Sequence, residues 1–266
     1  MRRLTVTRAL ESPIICGAIG VVGLLCVVEA AGRTGLIPTI QFPLASTVLA
    51  DAVALAGDTE FLADVGATML GWGLGLLATV LLAVPAGLVL GSVPAIETAL
   101  RPVIEFMRPI PSVALIPLAG FLFSERLDMK IAMIVYASTW PILINTMYGL
   151  RDVDPVAKET LRTFGFGRLS VLWRVALPSA APFIATGVRV SAAIALILAI
   201  STELIGGGSD GIGSFIILAG SSPDGLTLTI AATVWAGMLG LLTNAAFVAA
   251  ERRIFHWHTT RVGAAQ

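Results

Sequence analysis

The chain has 266 residues, 56% of them hydrophobic and only 13% charged, and its 17 basic and 17 acidic side chains cancel. An average soluble domain is roughly 25% charged, so this chain lacks the polar side chains to cover a water-facing surface and reads as a polytopic membrane protein. A formal charge of zero removes any global electrostatic pull toward nucleic acid.

A helix needs roughly 20 mostly apolar residues to cross the hydrocarbon core. Six stretches meet that length, near 13–32, 65–91, 102–123, 130–149, 181–204 and 226–250. The expected fold is therefore all-α, with six transmembrane helices and a short extramembranous helical segment between the fourth and fifth. The first span follows a tail, 1–12, that carries Arg2, Arg3 and Arg8, and it contains Cys16 and Cys26, which show no metal-ligand spacing. A basic start and the small-residue stretch "VVEAAG" also fit a cleaved signal peptide. The apolar run is longer than a signal core, so retention is expected. The second span carries "GWGLG" at 71–75 and the pair Gly87 and Gly91, small residues that let helices approach closely, within a subunit or between two. The third is the least regular, because Pro102, Pro109, Pro111 and Pro117 each remove a backbone donor. Such a span is expected against protein or a cavity, where the freed carbonyls find partners.

Orientation follows from the basic residues. Arg151, Lys158, Arg162, Arg168 and Arg174 crowd 150–180, and Arg252, Arg253 and Arg261 mark the tail 251–266. On the other side, 33–64 holds Arg33 beside Asp51, Asp58, Glu60 and Asp64, and 205–225 holds no base. Both termini and 150–180 are thus expected in the cytoplasm, around one membrane domain spanning 13–250.

Several patterns exclude chemistry. "GGGSDG" at 206–211 matches a dinucleotide-type glycine pattern, yet it follows an apolar helix instead of a strand and reads as a flexible turn. Lys130 and Lys158 are preceded by Met129 and Ala157, so the chain has no P-loop lysine and is not its own ATPase of that type. His256 and His258 flank Trp257 beyond the last span, an interfacial anchor. No catalytic or metal grouping stands out, so the chain is expected to be no enzyme and to hold no cofactor or metal.

The stretch "KETLRTFGFGRLSVLWRVALP", 158–178, is the most informative. Asp154 and Pro155 form a helix start, an N-cap acceptor followed by a proline at the first helical position. A short helix over 155–163 should end at Gly165, and a second should run over 168–176 until Pro178 and Pro182 close it. Ala157, Leu161 and Phe164 would share one face of the first piece, and Leu169, Leu172, Trp173 and Ala176 one face of the second. This helix–turn–helix is either an anchor resting on the bilayer or a docking surface for a cytoplasmic partner.

The same stretch resembles the cytoplasmic signature of binding-protein-dependent ABC importer permeases, with Glu159, Gly165, Val175, Leu177 and Pro178 on its frame. "IPSVALIPL", "GLRDVDP", "LPSAAPFIATGVRV" and "ELIGGGSDGIGSFI" are similar to the branch that imports sulfonates, taurine, nitrate and related small solutes. Thr160 and Leu161 replace the two small residues of the signature, and "LFSERL" lacks the glycine usual in that turn. The resemblance implies a coupling segment, 152–178, that seats in a separate ATPase through Asp154, Glu159, Arg162, Gly165, Gly167, Leu177 and Pro178. It implies that ATP and magnesium sit on that partner, that a second permease subunit completes the pore, most simply as a homodimer, and that an external binding protein chooses the solute. It places the chain in a bacterial inner or plasma membrane. A self-contained secondary transporter or channel is the competing class. It should show mid-span coupling acids or inverted repeats, and neither is visible.

Ionisable residues inside spans face protein or water. Arg189 and Glu203 sit fourteen residues apart near the two ends of the fifth span. Both are candidates for ion pairing, or, with Ser201 and Thr202, for the pathway and its outer gate. Glu105 and Arg108 are spaced to pair with each other.

Overall fold

The structure, a computed structural model, describes residues 13–38, 42–222 and 225–255. The tail 1–12 and His256, Trp257 and His258 lie outside the described residues. Among the described residues every regular element is helical. Five helical runs are long and apolar enough to cross a membrane: α1 (Pro13–Arg33), α3 (Thr59–Ser92), α6 (Arg126–Arg151), the continuous run Arg168–Gly206, and α11 (Gly225–Ile254). A sixth is broken into α4 (Pro94–Met107) and a second limb, Ser112–Leu122, that ends in α5 (Ile116–Leu122), with a bend of 78° between the limbs.

The chain forms two compact units, one built from the residues up to Leu62 with Phe215–Trp235, the other from Ala63–Ser214 with the residues from Ala236 onward. In the first, Glu29 near the end of α1 accepts from the backbone N–H of Ser46 at 3.1 Å and from its hydroxyl at 2.9 Å. It thereby satisfies an orphan donor at the start of α2 (Ala45–Leu55). Phe61 is fully buried, with edge-on ring contacts to Phe215 at 4.9 Å and Trp235 at 5.7 Å, and the Trp235 indole donates to the Ala52 carbonyl at 2.8 Å. Neither α2 nor α10 (Ile212–Gly220) is expected from span counting, because at 11 and 9 residues both are too short to cross a bilayer.

The second unit packs α3, α6 and the fifth span through small residues. Gly71, Gly75, Thr79, Ala83, Gly87 and Gly91 recur every four residues on α3, which keeps them on one face. A Cβ on Gly75 would meet Ile134 at 2.7 Å, and one on Gly87 would meet Thr146 at 2.7 Å and the Leu143 carbonyl at 3.1 Å. The Gly87/Gly91 pair therefore packs α3 against α6 within the chain. Gly187, on the fifth span, similarly faces the Pro141 carbonyl and Ile142 of α6. Ser138 and Ser191 donate to each other's backbone carbonyls at 3.2 and 2.6 Å, a reciprocal polar clasp in a fully buried seam.

The third span departs from the expected continuous 102–123. Pro109 and Pro111 cannot donate, and the helix breaks between Met107 and Ser112. Pro111 removes the i+4 donor of the Met107 carbonyl, which keeps a long contact from the Ile110 N–H at 3.4 Å and accepts the Tyr136 hydroxyl of α6 at 3.0 Å. Ile116 and Ala119 of the second limb are buried, whereas α4 buries no residue.

Candidate functional site

The segment after α6 forms the expected first limb, α7 (Pro155–Thr163). The Asp154 carboxylate accepts the N–H of Val156 at 2.9 Å, and Pro155 opens the helix. Gly165 ends it in the left-handed region at φ +84°, with its N–H to Arg162 O at 2.9 Å and that of Phe166 to Leu161 O at 3.1 Å. Lys158 reaches back to the Leu150 carbonyl at 2.9 Å, capping the end of α6. Glu159 and Arg162 are exposed, and Gly167 precedes the next helix in an extended conformation.

The second limb differs from the expected separate helix over 168–176. Pro178 and Pro182 do not close it. α8 (Arg168–Val171) passes through a π turn at Leu172–Ala176 directly into α9 (Leu177–Gly206). In that turn the Leu177 N–H bonds Leu172 O, five residues back, and the wider register carries the chain past Pro178 without a break. Part of the expected apolar face turns into the core. Ala176 packs with Leu150, Val153 and Ala180, flanked by Leu172 and Val175, and Val171 is buried. Leu169 and Trp173, of the same expected face, are 68% and 61% exposed, and Phe164 is 77% exposed. Arg174 lies over the Phe166 ring at 4.9 Å. The elbow is fixed at its base and presents apolar side chains among charges at its tip.

At the far end of α9, Glu203 is 3% exposed and Lys130 of α6 is 7% exposed. Lys130 Nζ donates to Glu203 Oε1 at 2.6 Å, Thr68 of α3 donates to both carboxylate oxygens at 2.9 and 3.0 Å, and the Gly213 N–H donates to Oε2 at 2.9 Å. Asp64 accepts the Gly211 N–H at 2.7 Å, and Thr68 Oγ1 accepts that of Ile212 at 2.9 Å. The turn 206–211, expected to be flexible, is tied at Gly211 to α3 and at Gly206 to α6, and φ values of +70° at Gly207 and +113° at Gly211 require its glycines. Arg126, inside "LFSERL" at the start of α6, donates to the Gly206 carbonyl and joins the two turns. A cleft of about 230 Å³ opens here, lined by Arg126, Lys130, Thr202, Glu203 and Asp210 among others. Thr202 bonds back to Ala199 O of its own helix, and Ser201 is half-buried outside the cleft.

Arg189 does not join this group. It pairs with Glu251 of α11 at 2.8 Å, about 21 Å along α9 from Glu203 at 1.5 Å per residue. Glu105 pairs with Arg101, four residues before it, at 2.8 Å and not with Arg108, although Arg108 keeps helical backbone angles and its N–H bonds the Ile104 carbonyl at 3.0 Å. Lys130 has no local sequence signal as a partner of Glu203. Among the described residues no three potential ligands cluster to hold a metal.

Helices long and apolar enough to cross a membrane, a span broken at prolines and an elbow fixed at its base place the chain among polytopic membrane proteins. Residues 79–256 match the binding-protein-dependent transport system inner membrane component family, and the chain belongs to that family. It is the permease subunit of an ABC importer. It is 28% identical over 228 residues to the taurine transport system permease protein TauC of Escherichia coli, covering 84% of this chain and 82% of that one. It is 29% identical to the nitrate import permease protein NrtB of Leptolyngbya laminosa, over 64% of this chain and 61% of that protein. The fold resembles that of a bacterial ABC transporter importing the acidic polysaccharide alginate, with a TM-score of 0.67 at 16% identity, over 96% of this chain and 97% of the other.

Proposed function

We propose that segment 152–178 seats in a separate ATPase subunit, which holds the ATP and magnesium. Two copies of the permease, or this chain and a close relative, then enclose a path loaded by an external solute-binding protein. In this reading both termini and 152–178 are cytoplasmic. The solute is a small sulfonate or oxyanion of the taurine or nitrate kind, on the strength of the relatives' names. The observation that carries the proposal is the elbow itself. Val171 and Ala176 hold its base in the core, while Phe164, Leu169 and Trp173 stand exposed beside Glu159 and Arg162. Exposed apolar surface rimmed by charge marks a contact with a protein or a membrane, and a base fixed to α6 and α9 favours the protein, because a push on the tip then moves those helices. Asp154, Gly165 and Gly167 shape the elbow, and Leu177 and Pro178 carry it into α9. Arg189, Ser201, Thr202 and Glu203 flank the path in the same reading, with Glu203 bracing its outer gate through Lys130 and the turn 206–213.

The test is co-expression with the ATPase subunit, pull-down in mild detergent, and uptake of taurine and nitrate in vesicles loaded with ATP. ATP-dependent uptake with a retained ATPase is expected. Full uptake by the lone chain without ATP would place it among secondary transporters.

A further inference from the structure

Arg108 sits at the elbow of the broken third span. Glu97, Arg101, Glu105 and Arg108 fall at intervals of four, four and three residues, within one side of α4 and its end. Three of the four charges are already matched. Glu97 pairs with Arg151 at the end of α6, and Arg101 with Glu105. The Arg108 side chain is exposed and has no hydrogen-bond or ion-pair partner among the described residues.

Its depth follows from Tyr136, which holds the Met107 carbonyl next to it. Tyr136 is ten residues from Arg126 and fifteen from Arg151, or about 15 and 22 Å along α6 at 1.5 Å per residue. A hydrocarbon core is about 30 Å thick, so the elbow stands near mid-depth. An uncompensated guanidinium is not stable in lipid there and must face water or a ligand. Breaks in spans persist at that depth only where they line protein or a water-filled cavity, and the charged stripe of α4 extends from the Arg151 end to this point.

We propose that Arg108 binds the anionic group of the solute at the middle of the pathway, with the charged stripe of α4 lining the half of the path between the elbow and the Arg151 end. This rests on the permease reading above and adds a residue and a ligand class to it. A planar guanidinium with five donors recognises sulfonate or nitrate oxygens in pairs. Glu105, the nearest acid in sequence, is turned to Arg101.

The experiment uses the permease assembled with its ATPase and binding protein in vesicles, with Cys16 and Cys26 replaced by alanine and labelled taurine and nitrate as probes. Arg108→Gln should lower uptake about tenfold or more, the loss of one charge-assisted contact, with the ATPase still retained on pull-down. Arg108→Lys should fall between, since it keeps the charge and loses the fork. In Arg108→Cys, a water-soluble cationic thiol reagent should modify position 108, and taurine or nitrate delivered during turnover should slow that reaction. Wild-type uptake by Arg108→Gln at equal membrane abundance would overturn the proposal. So would a cysteine that no soluble reagent reaches, or one that reacts at the same rate with and without solute, the behaviour of a charge buried against a second subunit. Failure of the permease reading would appear elsewhere, as wild-type uptake without ATP or without a bound ATPase.

Discussion

Lys130 and Glu203, 73 residues apart in sequence, meet at 2.6 Å inside a seam where each is almost wholly buried. Two charges so placed are held by each other and by hydrogen bonds, here from Thr68 and Gly213 to the carboxylate. Glu203→Leu strips Lys130, Thr68 and Gly213 of a partner at once and should cost about 3–5 kcal/mol. Lys130→Met leaves the carboxylate its other donors and should cost less. The double variant should be less impaired than the sum of the two, because the unmatched ammonium is gone. Heating detergent-solubilised protein and measuring the monodisperse fraction reads all three. Additive losses would show that the two residues act separately.

The glycine stripe of α3 makes a sharper contrast. A side chain at Gly87 meets Thr146 and the Leu143 carbonyl, and the carbonyl cannot turn away. Gly87→Leu should therefore prevent accumulation of folded protein. Gly73→Leu, on the same helix with nothing within 4 Å of its Cβ position, should accumulate normally. The measurement is membrane abundance by immunoblot. Equal abundance of the two would mean that α3 and α6 do not pack as closely as the structure places them.

Where the signal was local, the sequence was legible. Asp154 and Pro155 start α7 and Gly165 stops it through contacts within four residues, so spacing alone located them. The six apolar runs were legible for the same reason, since length and hydropathy are properties of a segment. Pairings that depend on packing were not. Lys130 is, in sequence, only a lysine after methionine, and the glycines at 206–211 show freedom of φ but not the Glu203 carboxylate that fills the space beside Gly211. Which side of the expected apolar face turns inward was not legible either, because it is set by packing against Leu150, Val153 and Ala180, which takes in Leu172 and Ala176 and leaves Leu169 and Trp173 exposed. The prolines of the third span forecast irregularity, but the bend of 78° and the partner for Met107 required Tyr136, almost thirty residues on.

Topology is open to direct labelling. In a background without Cys16 and Cys26, cysteines at Gly57 and Ser222 should react with an impermeant thiol reagent outside intact cells. One at Arg168 should react only after lysis. Gly57 and Ser222 sit in exposed turns after α2 and α10, and Arg168 opens α8 with its side chain exposed, so nothing within this chain blocks access, and lysis is followed by removal of the ATPase subunit before position 168 is labelled. The opposite pattern would invert the whole assignment of sides.

The elbow separates a docking surface from a membrane anchor. Gly165 holds φ +84°, and nothing lies within 4 Å of a Cβ built on it, so a substitution there is resisted by backbone strain and not by a clash. A β-branched residue is nearly excluded from that region, whereas asparagine enters it with less strain. Gly165→Val should therefore swing α7 away from α8, at a cost of about 1–2 kcal/mol if the turn is kept, and Gly165→Asn should preserve the turn. Gly165→Glu combines the strain with a charge at the tip. If the elbow seats in the ATPase, Val and Glu at this position should abolish uptake and release the ATPase or leave it hydrolysing ATP without transport, and Asn should retain both. Glu159→Ala, at an exposed position on α7, should weaken the same contact more mildly without altering the fold. The spans should insert in every case, since these residues lie outside them. An anchor makes the opposite demand. Trp173 and the arginines would then matter, and position 165 would tolerate each change while the segment still lay on the bilayer. Uptake, substrate-stimulated ATP hydrolysis and ATPase retention, measured on the same vesicles, decide between them, and near wild-type values for Gly165→Glu in all three would end the coupling assignment.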